Sequence, residues 1–177
     1  MTIAVIGATG TLGKALMKTP GTIACPIRFE DSKLYHEWFA ENEHIKTVWH
    51  VARACRKKGL RRDHETYFLE TNAMNDLLKS RASECTFVYA SSKIVYGLAG
   101  VSEIKSDRMD AENVAKYFFD DKTGLFNCPV DQTVKDINIT ELDSQGTIYA
   151  LTKLVNENLV KKHCKAYKIL RIWDIVP

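Results

Sequence analysis

The chain has 177 residues, 45% hydrophobic and 27% charged. Domains typically run ~100–200 residues, so this suffices for one domain with a buried core and excludes fibrous and disordered classes. The 25 basic against 22 acidic side chains leave +3, too little to imply nucleic-acid or membrane-surface binding by itself. No run approaches the ~18 consecutive apolar residues of a membrane helix. Met1-Thr2 passes straight into Ile3-Ala4-Val5-Ile6 with no basic n-region, so no leader is expected. The cysteines (Cys25, Cys55, Cys85, Cys128, Cys164) are odd in number and form no CxxC. They read as reduced thiols of an intracellular protein, and the histidines show no metal-ligand spacing.

Thr2–Ile6 is a short β-branched apolar run that stops at Gly7, as a strand buried on both faces does. Residues 11–18 follow as a short helix and 22–27 as a second strand, weakened by Pro26, which cannot donate to a ladder. Residues 31–41 read as helix from the Leu34/Trp38 and Tyr35/Phe39 pairs. Thr47–Val51 is a third strand, and 64–80 a longer helix striped by Leu69, Ala73 and Leu77 with Met74 and Leu78. Thr86–Ala90 is a fourth strand ended by Ser91-Ser92. From Gly97 to Thr147 only 110–119 reads as helix, and the remainder is assigned to loop. A helix from about Thr147, taken as N-cap, to His163 buries Leu151, Val155 and Leu159. Tyr167–Val176 closes the chain as a last strand. This alternation, with no interior boundary or repeat, predicts a parallel sheet covered by helices on both faces in three α/β/α layers.

Three motifs carry chemistry. Gly7-Ala8-Thr9-Gly10-Thr11-Leu12-Gly13 is a GxxGxxG in the first strand–helix turn, where glycines let the backbone approach a pyrophosphate and a helix start offers free N–H groups. Tyr149 and Lys153, at i,i+4, share one helix face, read as lying opposite the Leu151/Val155 stripe and so outside the core. A phenol loses its proton near ~10, so acid–base work at neutral pH needs a nearby cation, which Lys153 supplies. Ser91-Ser92 falls at the carboxyl end of a strand, where an open parallel sheet binds ligands and a hydroxyl can donate to a developing oxyanion. Taken singly, each has a plainer reading as a structural turn, an exposed pair or a serine cap.

In this order the motifs resemble the extended short-chain dehydrogenase/reductase family, its NAD-dependent epimerase/dehydratase branch. His50-Val51-Ala52 resembles that family's HxAA, and Asn72 its helix asparagine. Phe87–Ser92 with Val95-Tyr96-Gly97 resembles FVYxSSxxVYG, Tyr149–Lys153 the YxxxK, and Leu170-Arg171 to Pro177 the LRxxxxxGP strand. The resemblance implies a Rossmann-like doubly wound domain over residues 1–177 that binds NAD or NADP. It implies Tyr149 as general acid–base on a sugar hydroxyl or carbonyl. Lys153 would lower the phenol's pKa and hold the nicotinamide ribose, and Ser92 would be the partner hydroxyl. Gly7, Thr9, Gly10, Thr11, Leu12 and Gly13 would form the diphosphate turn, with Val51, Ala52 and Ser91 lining the cofactor pocket. The implied substrate is a nucleotide sugar, in a cytoplasmic enzyme of surface-polysaccharide precursor synthesis that pairs as a homodimer.

Departures refine this. Dehydratases carry Asp-Glu where this chain has Lys93-Ile94, which argues against dehydration and leaves epimerisation or carbonyl reduction. Arg28, Glu30 and Asp31 all lie after the second strand: a carboxylate there suits NAD, whereas Arg28 suits the 2′-phosphate of NADP. The family continues into a C-terminal substrate domain, whereas this chain stops at Pro177. A fragment, a truncation or a site completed by another chain is therefore expected, with apolar surface exposed near Trp173 and Ile175. Arg53, Arg56, Lys57, Lys58, Arg61 and Arg62 form a basic loop without an acid. That loop reads first as solvated and second as a diphosphate patch. The 98–147 segment is either a lid or an insertion. Two other functions stay open: a dinucleotide-binding module without turnover, and a fatty acyl thioester reductase, whose YxxTK Tyr149–Lys153 also resembles.

Overall fold

The structure, a computed structural model, describes residues 1–53, 64–92, 94–95, 109–119, 145–172 and 175–176. Five strands form one parallel sheet: β1 (Thr2–Ile6), β2 (Thr22–Cys25), β3 (Ile45–His50), β4 (Thr86–Ser92) and, after a two-residue strand β5 (Met109–Asp110), β6 (Tyr167–Ile172). Their order is β2-β1-β3-β4-β6. β5 pairs in parallel with β7 (Ile175–Val176) in a separate two-stranded sheet.

The helices are α1 (Thr11–Leu16), α2 (Tyr35–Glu41), α3 (His64–Lys79), α4 (Ala111–Phe119) and α5 (Gln145–His163). Side-chain alternation along β1 explains the two layers. Ala4 and Ile6 point to one core with Tyr35 and Phe39 of α2, Met74, Leu77 and Leu78 of α3, and Val160 of α5. Ile3 and Val5 point to the other, with Leu12, Ala15 and Leu16 of α1 and Val114, Ala115 and Phe118 of α4. The crossover from β1 to β2 lays α1 on one face. The return past β1 to β3 reverses direction and lays α2 on the other. The sheet is therefore doubly wound, as the sequence predicts, and the chain reverses between β1 and β3, where such folds leave a crevice at the strand ends.

Some boundaries move. β2 ends at Cys25, before Pro26, and it is an edge strand, the position where a proline after the ladder does least harm. A 3-10 turn over Phe29–Leu34 precedes α2 where one helix is predicted. α5 starts at Gln145, so Thr147 lies inside the first turn and is not the cap. The predicted last strand is two, β6 and β7. α4 lies where predicted, and Asp110 caps it, accepting from Asn113 N at 2.8 Å. Of the two pairs, Tyr35 and Phe39 are buried in the core and Trp38, partly buried, packs against it, whereas Leu34 is exposed.

Candidate active site

Register sets the site. Ile6 pairs with His50, and His50 with Tyr89, so Gly7, Val51 and Ala90 leave three adjacent strands at one level. The GxxGxxG turn follows the first of these ends, and its glycines divide into two kinds. Gly7 has φ +91°, and a Cβ there would lie 2.6 Å from the Ala52 backbone. A Cβ on Gly13 would lie 2.0 Å from the Gly7 carbonyl oxygen. These two glycines serve the protein's own packing. Gly10 is different: a Cβ would meet only the Gly7 oxygen, at an ordinary 3.5 Å. Its N–H donates to that same oxygen at 3.1 Å, closing the turn, and α1 begins beyond it with no side-chain cap. Thr9, Gly10 and Thr11 are exposed, whereas Leu12 buries its side chain beside Ala15 and Leu16.

Val51 and Ala52 continue β3 half-buried, Val51 N donating to the Ile6 carbonyl at 2.9 Å. Arg28, Glu30 and Asp31 all stand exposed in the turn after β2. Asn72 is exposed on α3. Tyr96, Gly97, Lys93, Trp173, Pro177, Cys55, Cys128 and the basic loop beyond Arg53 lie outside the described residues, as does most of 98–147. Cys25, Cys85 and Cys164 are free and buried, and burial pushes the Cys25 thiol up to about 11.

α5 carries the Tyr–Lys pair, and here the structure corrects the sequence. Lys153 is not on a surface face: it is buried, and its ammonium donates to the Ala90 carbonyl at 3.2 Å. The Leu151/Val155 stripe packs on Tyr67 of α3, while the polar side of the helix turns to the sheet. The Lys153 Nζ lies 5.1 Å from the Tyr89 ring centre and 5.7 Å from that of Tyr149. Tyr149, one turn earlier, is half-buried, and the Arg53 guanidinium lies over its ring at 4.7 Å. Because Lys153 ties α5 to Ala90, the turn bearing Tyr149 is held at the end of β4, where Ser92 stands half-buried. The Ser92 hydroxyl accepts from Ile94 N at 3.4 Å.

Ser91 serves a different joint. Its hydroxyl donates to Glu157 Oε1 at 2.5 Å, and Arg171 of β6 grips the same carboxylate twice, at 2.9 and 2.7 Å. Sequence reasoning missed Glu157, although it follows Lys153 at i+4 on the helix of Tyr149. It also missed Glu70, a buried acid in the middle of α3, whose only sequence signal is its place on the apolar side of that helix.

Beneath the site His50 is buried among Phe29, Phe87 and Tyr89, with both ring nitrogens buried and lacking hydrogen-bond partners among the described residues. Burial, reinforced by the Lys153 charge, holds its pKa down to about 3, so the imidazole is neutral. Burial likewise pushes the Tyr89 phenol up to about 12, against the opposing pull of Lys153. For Lys153 burial works against the charge, but Tyr89, Tyr149 and Glu70 outweigh it and the pKa rises.

Solved structures sharing this arrangement of strands and helices include the dTDP-4-dehydrorhamnose reductase of Yersinia enterocolitica, with TM-score 0.63 and 16% identity over 97% of this chain and 52% of that one. The Bacillus anthracis reductase of the same name, in complex with NADP, gives TM-score 0.58 and 15% identity over 96% of this chain and 52% of that one. WbmG of Bordetella bronchiseptica, in complex with NAD and UDP, gives 0.59 and 14% over 97% and 52%. The fold is the Rossmann-like one of these enzymes. This chain spans about half the length of each. No protein-family model and no curated protein matches it. Among the described residues no helix is long and apolar enough to cross a membrane, and no cluster of His, Cys, Asp and Glu suits a metal ion.

Proposed function

We propose that the protein is an NAD(P)-dependent reductase or epimerase of a nucleotide sugar. The observation that carries this reading is Gly10: open where Gly7 and Gly13 are packed solid, at an uncapped helix start beside the ends of β1 and β3. That space fits a dinucleotide diphosphate. Gly7, Thr9, Gly10, Thr11, Leu12 and Gly13 would hold it with Val51 and Ala52 alongside, and Arg28 or Asp31 would face the adenine ribose. The solved structures crystallised with NADP and with NAD and UDP support the same reading. When bound, the nicotinamide supplies or accepts the hydride.

This chain's own residues then manage the proton and the charge. Tyr149 exchanges a proton with the sugar oxygen, and Ser92 donates a hydrogen bond to that oxygen as negative charge grows on it. Lys153 is fixed by Ala90, so its cation stands beside the phenol without reorganisation. We place the reaction in the cytoplasm, in keeping with the free buried cysteines, and propose a homodimer that covers the exposed Phe68 of α3.

The test is a titration of the purified chain with NADH and NADPH, following nicotinamide fluorescence and thermal stability together. Saturable binding of one is expected, and the preferred one assigns the role of Arg28 against Asp31. A folded protein that binds neither defeats the proposal. Turnover of a keto nucleotide sugar is expected to vanish in Tyr149→Phe while binding persists. Binding without turnover in the wild type would instead indicate a non-catalytic module, and turnover of acyl-CoA alone the thioester reductase.

A further inference from the structure

Arg53 opens the basic run that follows β3, and the structure shows where its charge goes. Val51 N is bonded to the Ile6 carbonyl, and Ala52 lies so close to Gly7 that a Cβ added there would stand 2.6 Å from its backbone. The chain is thus fixed against the glycine turn as far as Ala52, and the next side chain leaves from the mouth of the site. It crosses to α5, where its guanidinium lies 4.7 Å from the centre of the Tyr149 ring. That ring stands by the end of β4, on the side of β3 away from β1.

The Arg53 side chain is half-buried, and its Nη2 is buried with no hydrogen-bond partner among the described residues. A ring face holds a guanidinium by its quadrupole but accepts none of the N–H bonds that lie in the guanidinium's own plane. Those donors stay available at its edge. A buried donor without an acceptor is unfavourable, and an acceptor brought by a ligand relieves it. The Lys153 ammonium stands 5.7 Å from the same ring centre, so two cations surround one aromatic side chain and together attract an anion.

We propose that Arg53 is a specificity residue that donates to an oxyanion of the substrate, a carboxylate or phosphoryl oxygen, with the Tyr149 ring holding its guanidinium in place. This deepens the proposed function and rests on it in one respect, that Tyr149 marks where the reacting oxygen lies. The planar guanidinium donates in pairs, which a carboxylate or a phosphate matches and a neutral hydroxyl does not. The opening at Gly10, assigned to the dinucleotide diphosphate, lies beyond β1, whereas Arg53 reaches from β3 to the other side. The anion at Arg53 therefore comes from the second reactant. A substrate without that charge leaves the buried donor unmet and is discriminated against.

The experiment is an NMR titration of the full chain with nitrogen-labelled arginine, the Arg53 side-chain signal being assigned by its absence in Arg53→Lys or Arg53→Gln. Inorganic pyrophosphate, UDP-glucose, UDP-glucuronic acid and NADH are added in turn at fixed ionic strength. Pyrophosphate and at least one of the two nucleotide sugars should move the signal saturably, and sodium chloride should not. Equal responses to the two sugars assign the anion to the diphosphate, and a tighter response to UDP-glucuronic acid assigns it to the sugar carboxylate. In Arg53→Gln, thermal stabilisation by the same probe should need at least about ten-fold more of it, and Arg53→Lys, with the charge but not the fork, should recover only part. A wild-type signal that neither pyrophosphate nor either sugar moves overturns the proposal. A signal that NADH alone moves also overturns it, by giving the anion to the cofactor. The deciding readings are taken on the wild type and need no turnover. Failure to bind NADH would count against the proposed function and leave a response to the sugars standing.

Discussion

The two faces of the sheet are built on opposite principles. One packs Ile3, Val5, Trp49, Val88 and Ile172 against α1 and α4, and none of the buried charged side chains among the described residues belongs to that cluster. The other, under α2, α3 and α5, holds His50, Tyr89, Glu70, Lys153 and Glu157 within or beside its apolar cluster. Both are buried. The first can be stabilised by area and fit alone, whereas the second is stable only when each charge meets its partner. Charges that are costly to bury lie under the end of β4, which bears Ser92, and under the turn of α5 that bears Tyr149. The apolar face anchors the glycine turn through Leu12.

Breaking the charged face should give the largest effect. Glu157→Gln removes the negative charge that faces Arg171 and leaves one amide oxygen where Arg171 and Ser91 now share two, for an expected loss of about 3–5 kcal/mol in urea denaturation. Replacing the pair together, Glu157→Leu with Arg171→Met, should recover most of that loss, since apolar groups of similar volume need no partner. A double variant as unstable as the single one would mean that the ion pair stabilises in its own right.

On the apolar face, Leu16→Ala should cost about 2–5 kcal/mol, from lost transfer free energy and the cavity left behind. This cost should be the same at pH 5 and pH 8, since the side chains described around Leu16 are Ile3, Val5, Leu12, Ala15 and their apolar neighbours. A cost that varies with pH would show that the two faces are electrically coupled and the contrast too sharp.

The His50 effect depends on pH. Its folded pKa, about 3, lies below the ~6.5 of an unfolded histidine, so the unfolded chain binds the proton more tightly. The stability this contributes is fully present above pH ~6.5 and is lost as pH falls towards 3, at about 1.4 kcal/mol per pH unit. Thermal melts between pH 7 and pH 4 should therefore fall more steeply in the wild type than in His50→Leu. Equal slopes would mean that the imidazole takes up its proton within the fold.

These contrasts were unequally legible in the sequence. β1, β3 and β4 are short β-branched or aromatic runs because central parallel strands are buried on both sides, and such runs announce themselves. The glycine turn and the Tyr149–Lys153 pair were legible for the same reason, each being a local spacing. The burial of Lys153 was not. A leucine stripe suggests a helix with one buried side, but α5 has two: Leu151 and Val155 meet α3, while Lys153 and Glu157 meet the sheet. Periodicity reads apolar burial and is blind to a polar face buried by ion pairing. What Lys153 and Glu157 meet, the Ala90 carbonyl and Arg171, lies beyond the helix in sequence, so no local window joins them. The two-residue strands β5 and β7 are too short to carry any pattern.

The smallest expected change in stability separates folding from binding most cleanly. At Gly10 the backbone has φ −73° and ψ 170°, which any residue adopts, and an added methyl meets nothing nearer than 3.5 Å. Gly10→Ala should therefore shift stability by less than about 1 kcal/mol, its effects on backbone entropy and on capping being small and opposed. Dinucleotide binding should nevertheless weaken at least ten-fold, because the methyl occupies the approach of the diphosphate. Gly13→Ala is the control: its methyl would stand 2.0 Å from the Gly7 oxygen, so stability and binding should fall together. If Gly10→Ala binds NADH and NADPH as the wild type does, the open space at Gly10 is not where the diphosphate lies, and the turn is a structural one like those its two neighbours already serve.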